Sequence, residues 1–73
     1  MMTKKDRAKL FKEGKTILRS KFDGKTKWEI YQYSENGGWI KATPCGCYFD
    51  SKEVCDSVID SIIAKNKNIV KED

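Results

Sequence analysis

The chain has 73 residues, of which 38% are hydrophobic and 36% charged, with a net charge of +4 and no histidine. This is room for one small domain, which buries only roughly 60% of the surface its unfolded chain exposes. A mean hydropathy of −0.71 rules out a membrane span, and the missing histidine removes His-based triads and most zinc chemistry.

The basic start is followed by no apolar run, so no signal peptide is expected. Thr3 with Asp6 three residues on reads as a capping-box helix start, and Lys4–Glu13 is free of breakers until Gly14. Residues 1–14 are therefore expected to form a short basic helix, with a disordered basic arm as the alternative. Asp23-Gly24 is a hairpin signal, and residues 27–34 are aromatic and β-branched, as a strand requires. Asn36-Gly37 marks a second hairpin, and Trp39–Thr43 is the returning strand, stopped by Pro44. Asp50, with Glu53 three residues on, is expected to cap a second helix. Its apolar stripe is Val54, Cys55, Val58, Ile59, Ile62 and Ile63. Residues 67–73 are polar around Ile69 and Val70 and are expected to fray. The expected fold class is α+β: one domain over 1–73, a three-stranded antiparallel meander packed on a C-terminal helix and preceded by a short N-terminal one (αβββα).

Charge sorts along this layout. Residues 1–27 hold ten Lys or Arg against three acids, and residues 28–73 hold five against eight. Such asymmetry fits a polyanion or an acidic partner for the first half, and it equally fits a solvated lysine-rich face.

Two-residue loops at Asp23-Gly24 and Asn36-Gly37 pair Arg19 with Trp28 and Tyr33 with Ile40. One face then collects Leu18, Phe22, Tyr31, Tyr33, Ile40 and Ala42, which suits the second helix as its cover. The other collects Ile17, Arg19, Lys21, Trp28, Ile30, Gln32, Trp39, Lys41 and Thr43. Two tryptophans among three cations, with no acid to pair them, make a poor core. They suit a nucleic-acid surface, where cations meet phosphates and rings stack on bases. The alternative is that the N-terminal helix covers this face, with Leu10 and Phe11 on the tryptophans and the lysines extending outward.

The segments Trp28-Glu29-Ile30, Trp39-Ile40 and Phe49-Asp50-Ser51-Lys52-Glu53 ahead of a helix resemble the sheet-plus-helix domains of phage and transposon integrases that bind arm-type DNA sites. They are also similar to the plant ethylene-response DNA-binding domain. The resemblance covers about residues 15–66. It implies a sheet laid in the major groove, with Arg19, Lys21, Trp28, Trp39 and Lys41 as the contacting side chains, and a phage or mobile-element origin. Gly46-Cys47-Tyr48-Phe49 is one residue longer than the Gly-x-Phe step of those families, and Cys55 stands where they favour alanine. The αβββα order also matches double-stranded-RNA-binding domains, but Lys52 beside Asp50, Glu53 and Asp56 is not their basic cluster.

Cys45, Cys47 and Cys55 are an odd set, which points to a reducing, cytoplasmic setting. Cys55 reads as core, and Cys45 and Cys47, which flank Gly46 in a loop, read as structural, with a redox or metal role as the alternative. No nucleophile–base pair, phosphate-cradling loop or spaced acid pair appears, so no enzyme activity, catalytic residue, metal site or cofactor is expected. The expected function is a small nucleic-acid-binding module. Its candidate contacts are Arg19, Lys21, Lys25, Lys27, Trp28, Trp39 and Lys41. The rival is a small inhibitor or adaptor, of anti-CRISPR or anti-restriction kind, docking the same face on an acidic host protein. Self-association through that face is a third possibility, and no membrane partner is expected.

Overall fold

The computed structural model describes residues 2–42 and 48–72. Thr43, Pro44, Cys45 and Cys47, and with them the end of the third strand and the proposed loop thiols, lie outside the described residues.

Helix α1 (Lys4–Lys12) starts at the expected capping box. The Thr3 hydroxyl accepts from the Asp6 N–H at 3.1 Å, and the Asp6 carboxylate accepts from the Thr3 N–H at 3.3 Å. After it come β1 (Thr16–Phe22), β2 (Trp28–Tyr33), β3 (Trp39–Lys41), α2 (Lys52–Lys65) and β4 (Ile69–Lys71). The sheet has four strands in the order β3-β2-β1-β4, with β1–β2 and β2–β3 antiparallel and β4 parallel to β1. The expected three-stranded meander is thus part of a larger mixed sheet. The expected frayed tail instead forms its fourth strand: the Thr16 N–H donates to the Asn68 carbonyl at 2.7 Å, and the Glu72 N–H to that of Leu18 at 2.8 Å.

Both hairpin registers depart from two-residue loops. Type I′ turns need positive φ at both loop positions, and among the described residues no non-glycine residue has it, while Gly24 (+90°) and Gly37 (+88°) do. Each loop therefore opens out. Asp23 and Lys27 close the first, from the Asp23 N–H to the Lys27 carbonyl at 2.9 Å. The Asp23 carboxylate holds it from within by accepting from the Lys25 and Lys27 N–H groups, which keeps its pKa below the usual value. Ser34 and Gly38 close the second, at 2.7 Å. Arg19 pairs with Tyr31 instead of Trp28, a slip of three residues, and Tyr33 pairs with Trp39 instead of Ile40, a slip of one. An odd slip exchanges the faces of a strand relative to its neighbour.

One face now carries Leu18, Ser20, Phe22, Trp28, Ile30, Gln32 and Ile40, and α2 packs on it across β4, β1 and β2. The core joins Leu18 and Ile30 to Cys55 and Ile59, with Trp28, Phe49, Val58, Ile62, Ile63 and Ile69 against it. Burial pushes the Cys55 thiol pKa up, as for an inert core cysteine. Ser51, not Asp50, caps α2, its hydroxyl accepting from the Val54 N–H at 3.2 Å. Asp50 pairs with Lys27 instead, which lowers its pKa. At the far flank the Asp56 carboxylate accepts from the Ser20 hydroxyl, and Lys71 on β4 reaches Asp60 at 2.9 Å.

Ile59 is fully buried, whereas Val54 at the flank of the same stripe is 49% exposed. Ile59→Ala should therefore cost about 2–5 kcal/mol in urea unfolding, a large share of the stability available to so small a chain. Val54→Ala should cost well under about 1 kcal/mol.

Candidate functional site

The opposite face of the sheet is organised in three rows running across the strands. The first holds Ile17, Tyr33 and Trp39, the second Arg19, Tyr31 and Lys41, and the third Lys21 and Glu29. Parallel pairing sets Val70 beside Ile17 and Lys71 beside Leu18, so Glu72 follows on alongside Arg19. Helix α1 packs on β1 from this side. Ile17 is buried without belonging to the cluster beneath α2, so it is the first row that α1 covers.

A carboxylate holds this arrangement together. The side chain of Glu72 is 1% exposed, and Arg7 of α1 grips it through two parallel bonds, Nε to Oε1 at 2.7 Å and Nη2 to Oε2 at 2.8 Å. Arg19 Nη1 stands 3.9 Å from Oε2 on the other side. The hydrogen bonds from Arg7 hold the Glu72 pKa down against the opposing effect of burial, and the charges of Arg7 and Arg19 act the same way. In return the bond to Glu72 raises the Arg7 pKa. Held there, the Arg7 guanidinium lies 5.6 Å from the ring centres of both Tyr33 and Trp39, which themselves meet edge to face at 5.3 Å.

Beyond the shelter of α1 the same pairing of cation with ring continues. Arg19 lies 5.4 Å from the Trp39 ring centre, Lys21 4.7 Å from that of Tyr31, and Lys41 4.9 Å from that of Tyr48. Glu29 is buried beneath them, accepting from Lys41 Nζ at 2.7 Å and from the Tyr31 hydroxyl at 3.3 Å. Lys21 is exposed.

Of the residues singled out in the sequence, Arg19, Lys21, Trp39 and Lys41 come together on this face. Trp28 does not. It lies on the α2 side, tilted against Phe22 at 5.3 Å and packed on the core. Lys25 stands exposed at the first turn, and Lys27 is engaged by Asp50. The sequence reading missed Arg7, Glu29, Tyr31, Tyr33, Tyr48 and Glu72, and with them the acids that pair the cations of this face. One signal for Arg7 was available: it and Leu10 stand at i and i+3, on one side of a helix whose other cations are all lysine. Glu72 had none, since it only follows a strand of three residues.

Among the described residues, no helix is long and apolar enough to cross a membrane. Comparison with protein-family models, with curated proteins and with solved structures gives no significant match.

A carboxylate whose folded pKa is held down contributes stability that is complete above the ordinary carboxylate range and is lost as pH falls through the folded value. Glu72, Asp23 and Asp50 all shift downward, as does Asp56, where burial is outweighed by hydrogen bonds from Lys52 and Ser20 together with the charges of Lys52 and Lys71. Thermal stability should thus be flat near neutrality and fall on acidification below the ordinary carboxylate range. Glu72→Gln should cost about 1.5–3 kcal/mol at pH 7 and shrink the acid-dependent loss, measured by circular-dichroism melts across pH.

Proposed function

We propose that the chain is a non-catalytic nucleic-acid-binding module whose contact surface is the sheet face bearing Arg19, Lys21, Tyr31, Trp39 and Lys41. The observation that carries this reading is the repeated placement of a cation over a ring: Arg19 on Trp39, Lys21 on Tyr31, Lys41 on Tyr48. A phosphate–sugar–base unit presents a charge and a flat apolar face side by side, which is what such a pair complements. Beneath these cations the buried acids Glu29 and Glu72 engage Lys41 and Arg19 without reaching the surface.

The surrounding field has the matching sign. Helix α1 carries five cations against Asp6. Lys5, Lys9 and Lys12, at i, i+4 and i+7, form a stripe on the side of the helix turned away from Arg7 and line one shallow depression. Helix α2, on the opposite side of the sheet, carries Glu53, Asp56 and Asp60 against two lysines. A polyanion is drawn to the α1 side and repelled from the other.

One observation favours a protein partner as a second reading. Phe22 and Ile40 are 44% and 54% exposed on the α2 side of the sheet, and Val54 in the first turn of α2 is half exposed. Exposed apolar side chains of this kind serve protein docking, as a small inhibitor or adaptor requires.

Trp28→Phe leaves Trp39 as the single tryptophan and a reporter of the proposed surface. Titration with short DNA and RNA strands should quench Trp39, more strongly at low salt. Lys21→Ala should weaken binding and lower the slope of log affinity against log salt by about one. Absence of quenching at low salt would defeat this reading. Capture of a protein partner that is lost on Ile40→Glu and kept on Lys21→Ala would establish the second.

A further inference from the structure

We infer that the nucleic acid this face takes is single-stranded, with bases stacked on Tyr31 and its neighbouring rings, and that α1 excludes a duplex. The inference rests on the nucleic-acid reading above and identifies the class of ligand. It also departs from the groove-bound sheet that the integrase resemblance implied.

A sheet reads duplex DNA by entering a major groove about 12 Å wide and about 8.5 Å deep, which requires its face to be the most prominent surface of the protein. Here α1 lies on that face, over the row that contains Ile17, with Arg7 reaching from it across Tyr33 and Trp39. A helix with its side chains is about 10–12 Å across, so the exposed rows form the floor beside a step of that height. From the row of Arg19 to the row of Lys21 the strand advances two residues, about 7 Å. A rigid duplex approaching this floor meets α1 before its phosphates reach Arg19 or Lys21.

The step is also anchored. Bidentate bonds to a buried carboxylate hold α1 at Arg7, and its N-terminus is closed by a complete capping box, so moving it aside means breaking a buried ion pair. A single strand has no such obstacle. Its bases turn out of the backbone and lie flat on rings, and stacking of this kind is tolerant of sequence. The floor offers Tyr31 between Lys21 and Lys41, with Trp39 at the foot of the step and Tyr48, half exposed, against Lys41. Lys5, Lys9 and Lys12, on the side of α1 turned away from the floor, add to the positive field around it.

The test is fluorescence anisotropy of the full chain with a labelled 12-nucleotide DNA strand, the RNA strand of the same sequence, and the matching DNA duplex, at 50 and 200 mM salt. At least one single strand should bind ten-fold or more tighter than the duplex at both salts, and the DNA and RNA arms distinguish the two sources of strand. Tyr31→Ala should lose about ten-fold or more on the single strand and little on the duplex, whereas Tyr31→Phe, which keeps the ring, should retain binding. Lys21→Ala, at an exposed position, gives a variant whose folding is not at risk and should weaken single-strand binding. Duplex binding as tight as or tighter than the strands would overturn the inference and leave the nucleic-acid reading standing. Strand preference untouched by Tyr31→Ala would overturn the stacking. Failure of all three ligands to bind at 50 mM salt would overturn both.

Discussion

The buried carboxylate of Glu72 is the constraint on which the rest of the molecule depends. It sits at the end of the last strand, takes two hydrogen bonds from Arg7 of the first helix, and stands beside Arg19 of the first strand. Three segments far apart in the chain are thereby joined around one charge. Helix α1 has no fully buried residue and a mostly polar sequence, so packing alone gives it little reason to stay on the sheet. The ion pair supplies that reason. It is a demanding device, since a charge taken out of water requires good geometry in return. The fork-on-fork arrangement with Arg7 provides it.

The same contact governs the surface. With Arg7 drawn to Glu72, its guanidinium rests against Tyr33 and Trp39, and these rings become the sheltered end of the face. Arg19, held near the same carboxylate, lies on Trp39 from the open side. Glu29 does the corresponding work further along by engaging Lys41 and the Tyr31 hydroxyl. The face is therefore a layered one, with acids beneath and cations and rings above. Fully paired buried acids keep long basic side chains in one geometry, which lowers the entropy those side chains lose on meeting a ligand.

The two hairpins show how a small local difference redistributes a surface. Relative to β2, both β1 and β3 slip by an odd number of residues from the register of two-residue loops. The two exchanges cancel between the outer strands, so Arg19 and Lys21 still share a face with Trp39 and Lys41. Only β2 presents its other side. Tyr31, Tyr33 and Glu29 join the cations, and Trp28 and Ile30 go to the core under α2. This outcome is the better one physically. It sets Trp28 and Ile30 against the core under α2, and it brings Glu29 to the cations of the opposite face.

Local structure and the charge pattern follow from the chain's own order of residues. Helix α1 with its Thr3–Asp6 box, the apolar stripe of α2, the two hairpins and the concentration of cations in the first 27 residues all depend on neighbours in the chain. Four of the seven candidate contacts, Arg19, Lys21, Trp39 and Lys41, are together on one face because side chains alternate along each strand and the two register slips cancel. The rest depends on partners distant in the chain. The opening of the Asp-Gly and Asn-Gly loops sets which side of β2 faces the core under α2. Whether a weakly patterned tail frays or becomes β4 is settled by the free edge of β1 and by Arg7, 65 residues away from Glu72. That α1 lies across one end of the basic face, turning a flat sheet into a floor beside a step, follows from the same ion pair. Burial of a charge is a property of the assembled fold, and no spacing along the chain records it.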